Sequence, residues 1–231
     1  MIPKVIHYCW FGGNPLPKGA IKCINSWKKY LPDYEIIEWN ESNFDINLNA
    51  YTKKCHENKK YAFLSDYVRL YVVEKYGGLY FDTDVEVLKS FDELLVYSAF
   101  FGFENEDYIA TGLGFGAEKN NKLLQQMIKE YDALMNESSL LVTCPKLNTA
   151  ACKKIGFKIN GKYQVIENML LLPVECLNPF NNNTGVLNKT KNTYSIHWYS
   201  MSWLSKSKRI RSNITRIIHR FLGEDFFKRK V

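Results

Sequence analysis

The 231-residue chain contains no unbroken apolar run of about 18 residues, the length that a membrane-spanning helix needs. No transmembrane helix is therefore expected. The amino terminus, Met1 to Tyr8, has no apolar stretch of the secretory-signal kind. The six cysteines (Cys9, Cys23, Cys55, Cys144, Cys152 and Cys176) form no C-x-x-C pair and no metal-finger spacing. They read as reduced thiols, which points to a cytoplasmic protein. There is no internal repeat and no G-x-G-x-x-G after a strand, so a dinucleotide fingerprint is absent. A body-wide excess of positive charge is missing too. The net charge is +7, yet from Lys206 onward nine basic residues face two acidic ones, while residues 1–205 balance at zero. A uniformly basic nucleic-acid binder is excluded by that distribution. One large domain over 1–205 and a basic tail over 206–231 are expected.

What the sequence does have is organised around Lys75 to Val85. Tyr61 to Tyr76 reads as a helix, with Ala62, Leu70 and Val73 on a core face. Gly77 is suited to end it with φ > 0, and Gly78 to turn the chain sharply. Leu79-Tyr80-Phe81 fits a short buried strand. Asp82 and Asp84 follow, one residue apart, and on an extended strand would share a face. Two like charges emerging from a buried strand repel each other unless a cation sits beside them. Oxygen ligands of this kind suit Mg²⁺ or Mn²⁺. Asp-x-Asp also occurs in turns, so the preceding helix, glycines and apolar run carry the weight.

The remaining chain reads as alternating strands and helices. Val5 to Trp10 is a strand closed by Phe11-Gly12-Gly13-Asn14-Pro15, with a helix from about Lys18 to Tyr30, the start of a βαβ unit. Trp10 falls where α/β folds bind ligands, or else belongs to the core. Tyr34 to Asn40 is a second strand, and a helix resumes near Tyr51. Asp66 and Arg69, three apart, share a helix face, which on its own reads as a surface ion pair. Val85 to Leu88 and Phe100 to Glu104 are strands, and Asp92 to Leu95 a short helix. Ile109 to Ala117 carries glycine at every second position, which on a strand would allow close backbone approach. Asn120 to Asn136 is an amphipathic helix, and Gln164 to Leu172 a strand. His197 sits among aromatics and hydroxyls from Tyr194 to Trp203, where a structural histidine is the ordinary finding. In the tail, Ile210, Ile214, Ile217, Ile218, Phe221 and Leu222 form one stripe between basic flanks.

Three stretches, Ile2 to Gly13, Ala62-Phe63-Leu64-Ser65-Asp66-Tyr67-Val68-Arg69-Leu70, and Tyr76 to Val85, resemble the DXD-containing sugar-transferase family. That family includes initiating mannosyltransferases and capsular-polysaccharide glycosyltransferases, and more distantly the glucosylating toxins. Thr111 to Glu118 and His197-Trp198 are similar to its bacterial branch, so the likeness runs over roughly residues 1–205. The resemblance implies a GT-A fold, a twisted and mostly parallel α/β sheet flanked by helices. It implies transfer of a sugar from a nucleotide-sugar, UDP-linked in preference to GDP-linked, to a saccharide or lipid-linked saccharide in surface polysaccharide synthesis. It also implies retention at the anomeric carbon. Donor contacts would come from Tyr8, Trp10, Asp66, Arg69, Asp82, Thr83 and Gly112. Trp10 would stack on the base, and Arg69 would hold sugar or phosphate. Asp84, Asp82 and His197 would bind Mn²⁺ or Mg²⁺. Asp82, Asp84 and Arg69 are thus the expected catalytic set.

Two other readings compete. A metal-dependent phosphohydrolase would also use an Asp-Thr-Asp, but Val85-Glu86 follows where Gly-Thr is needed. A non-catalytic carbohydrate-binding protein would have no use for an intact Asp82–Asp84 pair. The tail stripe reads either as a helix docked on the domain or as an interfacial helix on the anionic inner face of the plasma membrane.

Overall fold

A computed structural model describes residues 1–135, 142–200 and 215–223. In chain order the first half gives β1 (Val5–Cys9), α1 (Lys18–Tyr30), β2 (Glu35–Trp39), α2 (Ala50–Glu57), α3 (Tyr61–Tyr76), β3 (Gly78–Tyr80) and β4 (Val85–Val87). The second half gives β5 (Ala99–Gly102), β6 (Phe115–Ala117), α4 (Lys122–Met135), α5 (Cys144–Ile155), β7 (Gln164–Ile166), β8 (Met169–Leu172), α6 (Val174–Leu177) and β9 (Ser195–His197). Seven strands form one sheet in the order β2-β1-β3-β6-β5-β8-β7. β2, β1, β3, β5 and β8 run one way, and β6 and β7 run against them. β4 and β9 pair separately as an antiparallel ribbon.

Helices cover both faces of the sheet, so its central strands are buried on each side. On α1, Ala20, Cys23, Ile24 and Trp27 are buried at helical spacing, and Ile24 and Trp27 share one core cluster with Ile6, Leu79, Phe81 and Phe91. The Trp27 indole also donates to the Val85 carbonyl at 2.7 Å, which ties α1 to the start of β4. On the other face, Tyr51, Tyr67, Val72, Leu124, Met127 and Tyr131 meet Phe101 and Phe115. Asn49 and Thr52 close a reciprocal cap at the start of α2, a device worth about 1 kcal/mol.

Several expectations change at this level. Ala62 is exposed, because the faces of α3 that carry Leu64, Tyr67, Val68, Arg69, Leu70, Val72 and Val73 turn inward and the Ala62 face of the first turn does not. Gln164 to Leu172 is two antiparallel strands rather than one, since Glu167 and Asn168 both take positive φ and turn the chain. Within 109–117, Thr111 to Leu113 is a 3₁₀ turn, and only Phe115 to Ala117 is strand. There Gly116 faces Phe100 so closely that a Cβ would lie 2.5 Å from its ring. Gly77 ends α3 at φ 72°, as expected, and its amide donates to the Val73 carbonyl.

Candidate active site

The carboxyl ends of β1, β3 and β5 lie along one edge of the sheet, and Asp82 and Asp84 stand at the middle of it. They do not sit on an extended strand. β3 ends at Tyr80, and the Val85 amide donates to the Asp82 carbonyl at 3.0 Å, closing a turn over 82–85. The two carboxylates converge by turn geometry, with Thr83 half-buried between them.

Asp84 is held from the far end of the chain. β9 pairs with β4 so that His197 lies opposite Val85. His197 Nε2 is 3.1 Å from Asp84 Oδ1, and the Ser200 amide donates to Asp84 Oδ2 at 2.7 Å. The Trp198 amide donates to the Asp84 carbonyl, and its indole to Glu86 at 2.8 Å. Asp82 is held from the helix side. Arg69, on α3 and only 4% exposed, places one nitrogen 3.0 Å from Asp66 Oδ1 and 3.0 Å from Asp82 Oδ1. The Tyr80 hydroxyl donates to Asp82 Oδ1 at 2.9 Å, and the guanidinium lies over the Tyr80 ring. The Asp66–Arg69 pair is therefore a buried tie between helix and turn, not a surface ion pair. Gly112 completes this wall, since a Cβ there would lie 2.6 Å from Asp82 Oδ2 and 3.2 Å from an Arg69 nitrogen.

Asp82, Asp84 and His197 each offer one ligand atom, and these atoms lie within 4.8 Å of one another. Two carboxylate oxygens and an imidazole nitrogen fit a divalent cation, and the nitrogen favours Mn²⁺ over Mg²⁺. His197 Nδ1 is buried with no hydrogen-bond partner among the described residues.

The charges respond to burial and to each other. Burial pushes the Asp66 carboxyl up, against the pull of Arg69, to about 6. Burial likewise raises Asp82, with Arg69 opposing and Asp84 adding to the rise. At Asp84 burial acts upward, but the His197 charge and the bonds from His197 and Ser200 prevail and lower it. His197 is raised, its burial outweighed by Asp84 and Asp82. Each partner thus favours the charged form of the other, and a bound cation would take the place of that contact.

Asp66, Arg69, Gly112, Asp82, Asp84 and His197 thus form one cluster. Tyr8 lies on neighbouring β1, and Trp10 directly follows that strand. Trp10 is half-buried at the strand's end with its indole donating to the Asn14 carbonyl, and the buried Tyr8 donates its hydroxyl to Glu38. Other residues at the site were not named as site residues from the sequence. Tyr199 packs against His197 with ring centroids 4.1 Å apart and planes tilted by 52°, from a left-handed φ of 49°. The Cys144 thiol lies 3.8 Å from Arg69, and Glu104 receives the Tyr199 hydroxyl.

The fold is that of GT-A glycosyltransferases, and part of the chain is similar to DXD sugar transferases. Residues 17–101, which include Asp66, Arg69, Asp82 and Asp84, match the family model described as glycosyltransferase sugar-binding region containing DXD motif. Inositol phosphoceramide mannosyltransferase 3 of Schizosaccharomyces pombe is 30% identical over 132 residues, 55% of this chain and 36% of that protein. Mannosyl phosphorylinositol ceramide synthase SUR1 of Saccharomyces cerevisiae is 31% identical over 108 residues, 43% of this chain and 27% of that protein. The chain thus spans about a third of the length of these relatives. Among solved structures, the PaToxG glycosyltransferase superposes with a TM-score of 0.56 at 19% identity, covering 66% of this chain and 68% of that one. A glycosyltransferase involved in glycosylation of the major capsid of PBCV-1 gives 0.51 at 14% identity, over 91% of this chain and 100% of that one. The likeness to DXD sugar transferases and the GT-A fold expected from the sequence are both borne out.

Proposed function

We propose that the protein is a metal-dependent glycosyltransferase that moves a sugar from a nucleotide-sugar to a saccharide or lipid-linked saccharide. The observation that carries this is the convergence of Asp82, Asp84 and His197, from opposite ends of the chain, at the carboxyl edge of a GT-A sheet. Asp82, Asp84 and His197 would hold the divalent cation, which would supply charge stabilisation to a departing diphosphate. Trp10, just past the end of β1 and one strand away, offers its flat face to the base, with Tyr8 fixing the strand end through Glu38. Asp66 and Gly112 border the donor sugar, Asp66 as a hydrogen-bond acceptor and Gly112 by letting the Asp82 carboxylate lie against its backbone. Arg69 acts differently from the sequence expectation. Its buried fork holds Asp66 and Asp82 in place, so its part in donor binding runs through those carboxylates. Thr83 sets the spacing of the pair within the turn.

The relatives' names join mannose to a membrane lipid, which supports a lipid-linked acceptor and a hexose donor. UDP-sugars are favoured over GDP-sugars, retention over inversion, and surface polysaccharide as the product. Among the described residues no helix is long and apolar enough to cross a membrane. Contact with an anionic inner leaflet would then fall to the basic tail. The test is nucleotide-sugar hydrolysis with and without Mn²⁺. A transferase releases sugar from UDP- or GDP-hexoses only with the metal. A phosphohydrolase would cleave phosphomonoesters instead, and a binding protein would do neither.

A further inference from the structure

Four carboxylates line the carboxyl edge of the sheet around this cluster, and three of them face a cation. Asp66 and Asp82 share Arg69, and Asp84 meets His197. The fourth, Glu104, makes no ion pair among the described residues. It follows β5 directly, and β5 runs parallel to β3, so Glu104 emerges at the same edge as Asp82.

Its side chain is held in place by neutral groups. The Tyr199 hydroxyl donates to Glu104 Oε1 at 3.2 Å, and the Asn178 amide donates both to the Tyr199 oxygen at 2.9 Å and to the Glu104 carbonyl at 2.8 Å. Glu104 is half-buried. Its charge is felt on two sides, at the His197 ring and at the Cys144 thiol beside Arg69. A carboxylate offers about four lone-pair sites, and a single hydroxyl leaves most of them available.

Strand order says what those sites face. The base would lie over β1 and the diphosphate over the end of β3. β5 lies two strands beyond β3, on the side away from β1. At about 4.8 Å per strand that is roughly 10 Å past the metal ligands. A donor laid along this edge places its sugar, and the group attacking that sugar, over β5.

We infer that Glu104 binds the attacking hydroxyl, accepting its hydrogen bond and aiming its oxygen at the anomeric carbon. This rests on the transferase reading and adds to it the residue that meets the acceptor, or water in the acceptor's absence. Tyr199 and Asn178 position the carboxylate and touch neither substrate.

The test is hydrolysis of UDP-glucose, UDP-galactose and GDP-mannose with Mn²⁺, which needs no identified acceptor. With whichever donor the unmodified protein cleaves, Glu104→Ala should lower kcat by about 10- to 100-fold, the loss expected for a hydrogen bond to a charged group. Donor KM and the Mn²⁺ concentration for half-saturation should stay unchanged. Glu104→Gln, which keeps the shape and the Tyr199 bond, should fold normally and lose less. Tyr199→Phe, which frees the carboxylate without removing it, should also lose less. Unaltered kcat in either Glu104 variant, with the fold confirmed by its melting curve, would overturn the assignment. So would a weakened Mn²⁺ response matching the fall in kcat, since Glu104 would then act only through Tyr199 on His197. If the unmodified protein cleaves none of the three donors, the transferase reading itself fails, and the role of Glu104 with it.

Discussion

Asp66 shows how far a single residue could be understood from sequence. Its proximity to Arg69 was legible from a spacing of three on a helix, but its burial was not, because burial depends on Asp82 arriving from β3. That burial has a measurable consequence. In an unfolded chain an aspartate titrates near ~3.9, whereas folded Asp66 titrates at about 6. The folded state binds this proton more tightly, so the residue favours folding below its unfolded value. That contribution is lost as pH rises through about 6. Asp66→Asn removes the titration and keeps an oxygen for Arg69. Urea unfolding at two pH values should show the gap between variant and unmodified protein moving in the variant's favour from pH ~4.5 to ~7.5, by on the order of 1–3 kcal/mol. A gap that stays constant would mean that Asp66 titrates normally. Glu104 and Cys144 were illegible for the reason that hid the environment of Asp66: each reaches the site from a distant part of the chain, and nothing in its own neighbourhood marks it. Tyr199 lay in the aromatic cluster around His197, but nothing in that cluster distinguished it from its neighbours.

Elements were legible where hydrophobic periodicity was clean, as in α1, and misread where burial was on all sides or where local turns intervened. α3 buries residues all round its middle, so a one-face pattern placed Ala62 in the core wrongly. The D-x-D was found through the apolar run before it, yet the pair converges through a turn that the period-2 argument did not contain. The tail carries the remaining element. Of the expected stripe, Ile210 and Ile214 lie outside the described residues, as do the basic residues at 206–211 and 228–230. A helix over 215–222 is described, with Ile217, Phe221 and Leu222 exposed at 60%, 78% and 57%. Arg216 turns the other way, donating to the Asn182 carbonyl at 2.8 Å and lying over the Phe180 ring. The helix over 215–222 thus contacts the domain through Arg216 and leaves Ile217, Phe221 and Leu222 exposed. We propose that the nine basic residues from Lys206 onward would draw this segment to an anionic lipid surface. The protein should sediment with phosphatidylserine-containing vesicles, release in high salt, and ignore neutral vesicles. A chain ending at Ser205 should lose that binding and keep donor hydrolysis. Equal binding to neutral vesicles, or none to either, would remove the membrane from the account.

At the scale of the molecule, the order of strands explains why residues so far apart in sequence share one edge. β1, β3 and β5 present their carboxyl ends together, and β9 returns across β4 to bring His197 onto Asp84. The βαβ beginning and the strand-end carboxylates made the fold class readable early. The antiparallel insertion of β6, and the ribbon of β4 with β9, needed the structure, because pairing partners are not written in either strand. The central claim is that Asp82, Asp84 and His197 bind one divalent cation together with a nucleotide diphosphate. Titrating the protein with Mn²⁺ and UDP, and following free Mn²⁺ by electron paramagnetic resonance, tests it most directly. The account predicts saturable Mn²⁺ binding, tightened by UDP, in the unmodified protein and its loss in a folded Asp84→Ala variant. Mn²⁺ binding of equal strength in that variant would contradict it.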